Sequence, residues 1–250
     1  MTDRKSRHIA AQEAAYISGR IDRRRFITSL VAAGVAVPAA LSMASRAEAQ
    51  TPSRGGSFKL AMGAGSTTDS LDPATYENGF TTHMGFLHGN NLTEVGPDNA
   101  LRPELAESYE PLDGGRAWAF TLRDGVEFHN GKTLTADDVI ATFNHHRGED
   151  STSAAKGILA PVTDIRADGD RTVIFELESA NADFPFLVSD YHLIIRPSED
   201  GEIDPTDGIG TGGYRIDSFE PGVRVLASRN PNYWKEGAAW FDDVEQIGRA

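Results

Sequence analysis

The sequence predicts a mixed α/β protein, and three observations support this class. Several short segments alternate apolar and polar residues as strands do, and Ala117 to Leu122 is the clearest of them. Thr135 to Asp138 has the residues of a helix start. Strand and helix patterns are mixed along the chain without an internal repeat. The 250 residues, 39% of them hydrophobic, are enough for a globular fold with a sizeable core.

The first 49 residues have the organisation of an export signal. Asp22 to Thr28 (DRRRFIT) is basic, and Ile27 to Ser45 carries no charged side chain. Ala47-Glu48-Ala49 then matches an A-x-A cleavage site. We therefore expect a signal peptide at residues 1–49 that is cleaved after Ala49, so that the mature protein begins at Gln50 in the periplasm.

The basic segment also indicates an export route. Arg23 and Arg24, with Phe26 two residues later, resemble the twin-arginine motif of signals that export folded proteins. Two alternatives remain open. The arginines can be the basic region of a signal for the general pathway, and the uncharged stretch, although it is weakly apolar and contains Pro38, can be a retained membrane anchor.

The body of the chain begins with a strand and a loop. After a polar linker, Ser57 to Met62 alternates as a half-buried strand does. Ser66 to Pro73 is small and polar and ends in proline, which predicts a loop that leaves this strand. Thr81 to Leu92 has apolar residues near helical spacing and predicts a short helix. Loops that leave the end of a strand, as Ser66 to Pro73 is predicted to do, are where α/β domains bind ligands.

A hairpin is predicted next. Asp124-Gly125 follows the strand at 117–122 and predicts a turn into a second strand that carries Val126 and Phe128. The same alternation predicts further strands at Val162 to Arg166, Thr172 to Leu177, Leu193 to Ile195, Tyr214 to Phe219 and Val223 to Ala227.

A helix is predicted from about Ala136 to Arg147. Thr135 supplies a capping hydroxyl, and Asp137 and Asp138 place carboxylates in the positively polarised first turn. These two acids are therefore explained as helix-start residues rather than as a catalytic pair.

Charge and cysteine content exclude several classes of function. From Gln50 onward the chain has 16 basic and 33 acidic side chains, a net charge of 16 − 33 = −17. A field of this sign repels phosphate backbones and anionic lipids, so we expect neither nucleic acid nor a membrane surface as a partner. Cysteine is absent, which excludes disulfides, thiolate catalysis and cysteine zinc sites.

Several blocks of sequence resemble one protein family. They are Leu101–Tyr109 (LRPELAESY), Trp118–Gly131 (WAFTLRDGVEFHNG), Thr135–Val139 (TADDV), Ile209–Tyr214 (IGTGGY), Glu220–Gly222 (EPG) and Asn230–Trp234 (NPNYW). In order and spacing they are similar to the family 5 extracytoplasmic solute-binding proteins of peptide, oligopeptide and nickel ABC importers. The likeness extends from Gly55 to Ile247.

The resemblance implies a periplasmic-binding-protein-like class II fold, in which two α/β lobes close over a ligand and the first lobe carries an extra domain. On that pattern residues 50–92 are the first segment of the main lobe. Residues 93–198 are the extra α/β domain, and residues 199–250 are a truncated second segment of the main lobe. Because members of the family are longer, the second lobe is expected to be missing from this chain.

The resemblance also implies a function. Such a protein is a monomer that captures a peptide or another small solute in the periplasm and delivers it to ABC permease subunits in the inner membrane. It is not an enzyme, and without a second lobe its binding is expected to be impaired. One alternative is an exported sensory or regulatory binding module with the same fold. Another is a periplasmic hydrolase, although no G-x-S-x-G motif occurs.

Five residues are candidates for ligand binding. Ser66, Thr67 and Thr68 lie in the loop after the first strand, where their hydroxyls can hydrogen-bond a peptide main chain or a polar solute. Asn78 and Thr81 open the following helix, where free N–H groups can meet a carboxylate. The competing interpretation of all five is turn formation and helix capping.

A glycine-rich motif and the histidines do not predict a cofactor or a metal. Gly208 to Gly213 fits G-x-G-x-x-G, but Tyr214 to Phe219 follows it as a strand instead of the helix that a dinucleotide requires. Gly210, Gly212 and Gly213 instead predict a tight crossing of backbone segments. The spacings of the histidines are poor for chelation, and these are His83, His88, His129, His145 and His146.

Overall fold

The computed structural model of the protein describes residues 2–17, 20–49 and 54–248. The chain divides into two compact units, residues 1–54 and residues 55–250. Within the described part of the chain, the first unit is helical, and the second contains all of the strands.

Three helices form the first unit: α1 Thr2–Ile17, α2 Arg23–Ala32 and α3 Val37–Ala49. Asp22 caps α2, because its carboxylate accepts a hydrogen bond from the N–H of Arg25 at 2.7 Å. Phe26 is buried in a cluster with Leu30 and with alanines of α3, and its ring stacks on Tyr16 of α1 at 4.7 Å between centroids. An apolar face shared by the helices therefore holds this unit together.

The uncharged stretch from Ile27 to Ser45 is divided between α2 and α3. The chain turns between them at residues 33–36, where Gly34 has a φ of 79° that favours glycine. No helix in the described residues is both long and apolar enough to cross a membrane. Gln50, the predicted first residue of the mature protein, lies outside the described residues.

The second unit combines short helices with two larger sheets. Its α-helices are α4 Gly79–His88, α5 Ala136–Arg147, α6 Lys156–Leu159 and α7 Phe184–Leu187. Its strands are β1 Ser57–Ala61, β2 Thr93–Val95, β3 Leu101–Pro103, β4 Ala106–Leu112, β5 Ala117–Leu122, β6 Val162–Ala167, β7 Thr172–Leu177, β8 Ser198–Glu199, β9 Glu202–Ile203, β10 Tyr214–Glu220, β11 Arg224–Arg229 and β12 Asp243–Ile247. The mixture confirms the predicted α/β class.

One four-stranded sheet joins segments that are far apart in sequence. Its strand order is β1-β12-β11-β10, with β1 parallel to β12 and the other pairs antiparallel. Phe58 lies opposite Val244 in the parallel pair. Helix α4 contacts this sheet, and its residues Phe80 and Met84 share a buried cluster with Val225 of β11. Because β1 and β12 run parallel, their carboxyl ends lie at the same edge of the sheet.

The second four-stranded sheet holds the larger core. Its order is β4-β5-β7-β6, and every neighbouring pair is antiparallel. Phe120 of β5 packs edge to face on Phe175 of β7, with 5.5 Å between centroids. The ring centroid of Phe143 in α5 lies 4.8 Å from that of Phe175, on the same side of the sheet. Trp118 and Leu122 are buried with Phe120, which confirms the predicted strand and its apolar face.

The predicted helix start is confirmed at α5. The N–H and the hydroxyl of Thr135 both donate to Oδ2 of Asp138, at 2.9 and 3.0 Å. The buried carboxylate of Asp138 also accepts from the N–H of Ser198 at 2.7 Å and pairs with Lys132. One of the two adjacent acids is therefore a structural residue that ties the helix start to the segment at 198.

Two elements differ from their predicted form. Strand β1 is largely exposed rather than half-buried, because it lies at the edge of its sheet. Its Phe58 stacks on Phe241 at 5.0 Å. Helix α4 begins two residues before Thr81 and ends at His88 instead of continuing to Leu92, because Gly89 has extended backbone angles that end the helix.

Two predicted strands are not formed. Residues 126–128 make only an isolated bridge, Glu127 to Thr133, because β5 pairs with β4 and β7 instead. Val126 and Phe128 are nevertheless buried. Leu193 to Ile195 is buried and irregular, and the N–H of Ile195 donates to the carbonyl of Asn90 at 3.0 Å. Alternation and apolarity at these positions reflect burial rather than strand pairing.

Candidate functional site

The loop after β1, residues 62–72, is the first candidate for ligand binding and is called the β1 loop below. It leaves the carboxyl end of β1, beside the carboxyl end of the parallel strand β12. Open α/β sheets bind ligands at this edge. In the β1 loop Ser66 is half-buried, and Thr67 and Thr68 are exposed.

Hydrogen bonds within the β1 loop fix its shape. The hydroxyls of Ser66 and Thr68 are 2.8 Å apart, and the N–H of Ser66 donates to Oδ2 of Asp69 at 2.8 Å. The other carboxylate oxygen of Asp69 accepts from Nδ2 of Asn78 at 2.7 Å. Ser66 and Thr68 therefore form the turn that was the competing interpretation, and Thr68, which is exposed, is still accessible to a ligand.

A close backbone approach holds the β1 loop against the turn between β10 and β11. A Cβ on Gly65 would lie 2.6 Å from the carbonyl oxygen of Gly222. A Cβ on Gly222, whose φ is 67°, would lie 2.5 Å from the carbonyl carbon of Ser66. Side chains are excluded from both positions, so the position of the β1 loop depends on the β10–β11 turn.

Asn78 and Thr81 act as helix-capping residues. Oδ1 of Asn78 accepts from the N–H of Thr81 at 3.1 Å, and the Thr81 hydroxyl donates to the Asn78 carbonyl at 3.0 Å. Thr81 is buried. The N–H of Thr81 is therefore used by the asparagine cap and is not one of the free N–H groups expected at this helix start.

A hydrogen-bonded pair that the sequence did not predict lies at the end of the β1 loop. Nε2 of His145, on α5, is 3.0 Å from Oδ1 of Asp72. Burial favours a higher pKa for Asp72, but hydrogen bonds from His145 and from the N–H of Ala74 outweigh it, and the pKa of Asp72 is lowered. The pair connects the β1 loop to the sheet that α5 covers. Its members are 73 positions apart in the sequence, so no local pattern indicated the pair.

A second unpredicted group is a buried polar cluster around Arg196. Its NH2 donates to Oδ1 of Asp207 at 2.6 Å and to the carbonyl of Pro205 at 3.3 Å. Its NH1 lies 2.8 Å from Nε2 of His88. Burial and the charge of Arg196 lower the pKa of His88 to about 3, so this imidazole is neutral and accepts the hydrogen bond. The only feature of the sequence that could have indicated this cluster was the arginine that follows the apolar run at 193–195.

The tight crossing predicted at Gly210, Gly212 and Gly213 is confirmed at the first two positions, where an added Cβ would overlap the backbone of His88. At Gly213 a Cβ would instead meet side chains, those of Ala239 and Tyr233. The N–H of Gly212 donates to the carbonyl of His88 at 2.9 Å. These contacts join the segment before β10 to the end of α4, and they explain the glycines without a cofactor.

The histidines are dispersed. His83 is exposed on α4, and His88 and His146 are buried. Burial, followed by the charge of His145, lowers the pKa of His146 to about 3. Within the described residues, no three His, Cys, Asp or Glu side chains are grouped as they would be around a metal ion.

Comparison with known proteins identifies a family whose model matches this chain. Residues 100–246 match the model described as bacterial extracellular solute-binding proteins, family 5 Middle. This range covers more than half of the chain.

Individual relatives agree with that match. The chain is 28% identical to the oligopeptide-binding protein AppA of Bacillus subtilis over 163 residues, which cover 61% of this chain and 30% of AppA. It is 31% identical to the peptidoglycan-binding protein YepA of Agrobacterium fabrum over 207 residues, which cover 76% of this chain and 34% of YepA. The chain thus spans about a third of the length of these curated relatives.

Solved structures show the same fold. AppA from Bacillus subtilis in complex with a nonapeptide superposes with a TM-score of 0.71 at 23% identity, over 79% of this chain and 40% of that one. The fold is therefore that of part of a class II periplasmic binding protein, as the sequence blocks predicted.

Proposed function

Because the chain belongs to the family 5 bacterial extracellular solute-binding proteins, we propose that it captures a peptide or a related small solute outside the cytoplasm and delivers it to the permease of an ABC importer. The match of residues 100–246 to the family carries this proposal. The AppA structure, which holds a nonapeptide, makes a peptide the first ligand class to test.

The β1 loop is the proposed contact with the solute. Thr67 and Thr68 are exposed at the carboxyl edge of the parallel pair, and their hydroxyls can donate to and accept from a peptide main chain. Asn78 and Thr81 support the loop through their capping bonds and through the contact of Asn78 with Asp69.

The sheet topology supports the proposed division into a main lobe and an extra domain, although strand β8 (Ser198–Glu199) crosses the proposed boundary after residue 198. Strands β1, β10, β11 and β12 fall in residues 50–92 and 199–250 and share one sheet, as expected of two segments of a main lobe. The sheet of β4 to β7 lies wholly within residues 93–198, the proposed extra domain. The core of that sheet also has its own aromatic packing.

We expect peptides to bind the 250-residue chain weakly and at the β1 loop. Amide chemical shifts of the ¹⁵N-labelled chain are followed during titration with di-, tri- and penta-alanine. Shifts at Ser66, Thr67 and Thr68 are expected, with a Kd above about 10 μM, because a ligand on this exposed loop keeps much of its surface in water.

A pair of variants tests the hydroxyls directly. Thr67→Val with Thr68→Val keeps the shape of both side chains and is expected to abolish the shifts, whereas Thr133→Val, at an exposed threonine elsewhere, leaves them unchanged. Peptide titrations that leave the β1 loop amides unmoved, or that move them equally in the double variant, contradict the proposed contact.

We also propose that residues 1–49 direct export to the periplasm by the twin-arginine route. Replacing both Arg23 and Arg24 with lysine is expected to reduce the periplasmic protein by more than about tenfold, because the motif depends on the arginine pair. Immunoblots of periplasmic fractions measure this, with Arg20→Lys as the matched control. Normal export of the double variant, or a periplasmic protein that still begins at Met1, refutes the proposed signal.

A further inference from the structure

His192 is a buried histidine in the segment that follows α7, and its side chain is 6% exposed. Its Nε2 lies 2.7 Å from the carbonyl oxygen of Tyr76, and its Nδ1 lies 2.6 Å from Oδ1 of Asp190. A carbonyl oxygen and an ionised carboxylate only accept hydrogen bonds, so both ring nitrogens must donate. An imidazole donates from both nitrogens only when it is protonated. The two contacts therefore require a positively charged His192.

The carboxylate of Asp190 is ionised, as this arrangement requires. The same Oδ1 also accepts from the backbone N–H of His192 at 3.0 Å. Burial favours a higher pKa for Asp190, but the hydrogen bonds from the ring and the N–H of His192 outweigh it, and the pKa of Asp190 is lowered. The proton of this pair therefore lies on the imidazole.

Several other titratable groups lie in this region. They are Tyr191 beside His192, His145 and His146 on α5, and Asp72, Tyr76 and Glu77 in the segment before α4. Burial, and then the charge of His145, lower the pKa of His146 to about 3. Burial also raises the pKa of both tyrosines, so these three groups keep their charge state near neutral pH. His145 is the other histidine near this contact, and the experiments below separate its titration from that of His192.

Loss of the proton removes one of the two donors of His192. A neutral imidazole has a single N–H, and the bond to the Asp190 carboxylate is the stronger of the two because its acceptor is charged. Nδ1 therefore keeps its proton, and the lone pair of Nε2 then faces the carbonyl oxygen of Tyr76. Two acceptors repel each other at this distance, so the contact between His192 and Tyr76 opens.

Tyr76 connects this contact to the β1 loop. The residue is fully buried, and its hydroxyl donates to the carbonyl of Leu71, within the β1 loop, at 3.1 Å. Its backbone N–H donates to the carbonyl of Pro73 at 3.2 Å. A change in the position of the Tyr76 backbone therefore reaches the end of the β1 loop through these two bonds.

We propose that His192 is a pH-dependent latch, which in its protonated form holds Tyr76 and the end of the β1 loop in place and in its neutral form releases them. The latch itself does not depend on what the β1 loop binds. Its effect on solute capture rests on the proposed function, and a peptide is then expected to bind more weakly as the pH rises and the loop loosens.

The ring nitrogens of His192 report its charge directly. In the ¹⁵N-labelled 250-residue chain, both are expected to be protonated at about pH 5.5, and Nε2 alone is expected to lose its proton as the pH rises to about 9. The amide of Glu77, which shares a peptide group with the Tyr76 carbonyl, is expected to shift with the same midpoint. A ring nitrogen that is unprotonated at about pH 5.5, or a Glu77 amide that does not follow the ring, overturns the proposal.

Three variants assign the shift of the Glu77 amide. Glutamine at position 192 can still donate an N–H to the Tyr76 carbonyl but has no charge to lose, so His192→Gln is expected to abolish the pH-dependent shift. His83→Gln, at an exposed histidine of α4, and His145→Gln are expected to retain it. A shift that persists in His192→Gln, or that is lost in His145→Gln instead, contradicts the proposal. If His192→Gln does not fold, the ring titration of the unmodified chain decides.

Hydrogen exchange measures the release of the segment. The N–H groups of Thr75 and Tyr76 donate to the carbonyls of Asp72 and Pro73. After correction for the intrinsic effect of pH, their protection is expected to fall at least about tenfold between about pH 6 and pH 9, because a hydrogen bond from a charged group is lost. Constant protection in the unmodified chain refutes the release. No solute is present in this measurement, so a latch that releases as expected, together with failed peptide titrations, would reject the solute contact at the β1 loop alone.

Discussion

Replacement of Arg196 by methionine is expected to lower the free energy of unfolding by about 2–3 kcal/mol. The guanidinium is fully buried and is the charged partner of Asp207. Methionine fills similar space but leaves the Asp207 carboxylate without its cation, and it leaves Nε2 of His88 without a donor. This loss is more damaging than that of a surface pair, because Arg196 is fully buried and the Asp207 side chain, 22% exposed, stays partly desolvated.

Urea denaturation of the 250-residue chain, followed by circular dichroism, measures this effect. The matched control is Arg166→Met, which removes an arginine whose pair with Glu176 is about half exposed on both sides. That change is expected to alter stability by less than about 1 kcal/mol. If the two variants unfold at the same urea concentration, the cluster around Arg196 does not stabilise the unit.

The second large effect is expected at Gly212. Gly212→Ala should destabilise the protein by about 2–3 kcal/mol, because the new Cβ would overlap the backbone of His88 and would lie 2.6 Å from the N of Gly89. Both obstacles are main-chain atoms, so no side-chain rotation relieves them, and α4 or the segment before β10 must move.

Thermal and urea unfolding of Gly212→Ala measure this cost, and Gly157→Ala is the control. Gly157 lies in α6, and an added Cβ there meets no atom within 4 Å. Alanine in a helix is expected to preserve or slightly raise stability at that position. A Gly212→Ala protein as stable as the Gly157→Ala protein would show that the crossing has room for a side chain.

The elements that could be predicted from sequence are those whose cause is local. Thr135 and Asp138 stand three residues apart and satisfy each other at the start of α5, so their pattern was sufficient. Gly210 and Gly212 likewise predicted a close approach of two backbone segments. The segment that they approach, the backbone of His88, could not be inferred from the spacing of residues in the sequence. The blocks that resemble the family predicted the fold, which the comparisons confirm.

The remaining features depend on partners distant in sequence. The alternation at 126–128 predicted a strand, but β7 and β4 occupy both sides of β5 and leave no edge for it. Arg196 meets His88 across 108 residues. Ser66 and Thr68 were identified as polar loop residues, yet only the structure shows that they also bond each other.

The parallel pairing of β1 with β12 has a consequence for assembly. Ser57 pairs with Asp243, 186 residues later in the chain, whereas β10 and β11 are joined by a short turn. For a flexible chain, the entropic free-energy cost of closing the longer loop exceeds that of closing the turn by about 3–4 kcal/mol. Prior folding of the β4–β7 sheet shortens the path between the two strands and reduces this cost. The edge that carries the β1 loop therefore gains its stability from structure formed elsewhere in the chain, and damage to that distant core would loosen the loop without touching it.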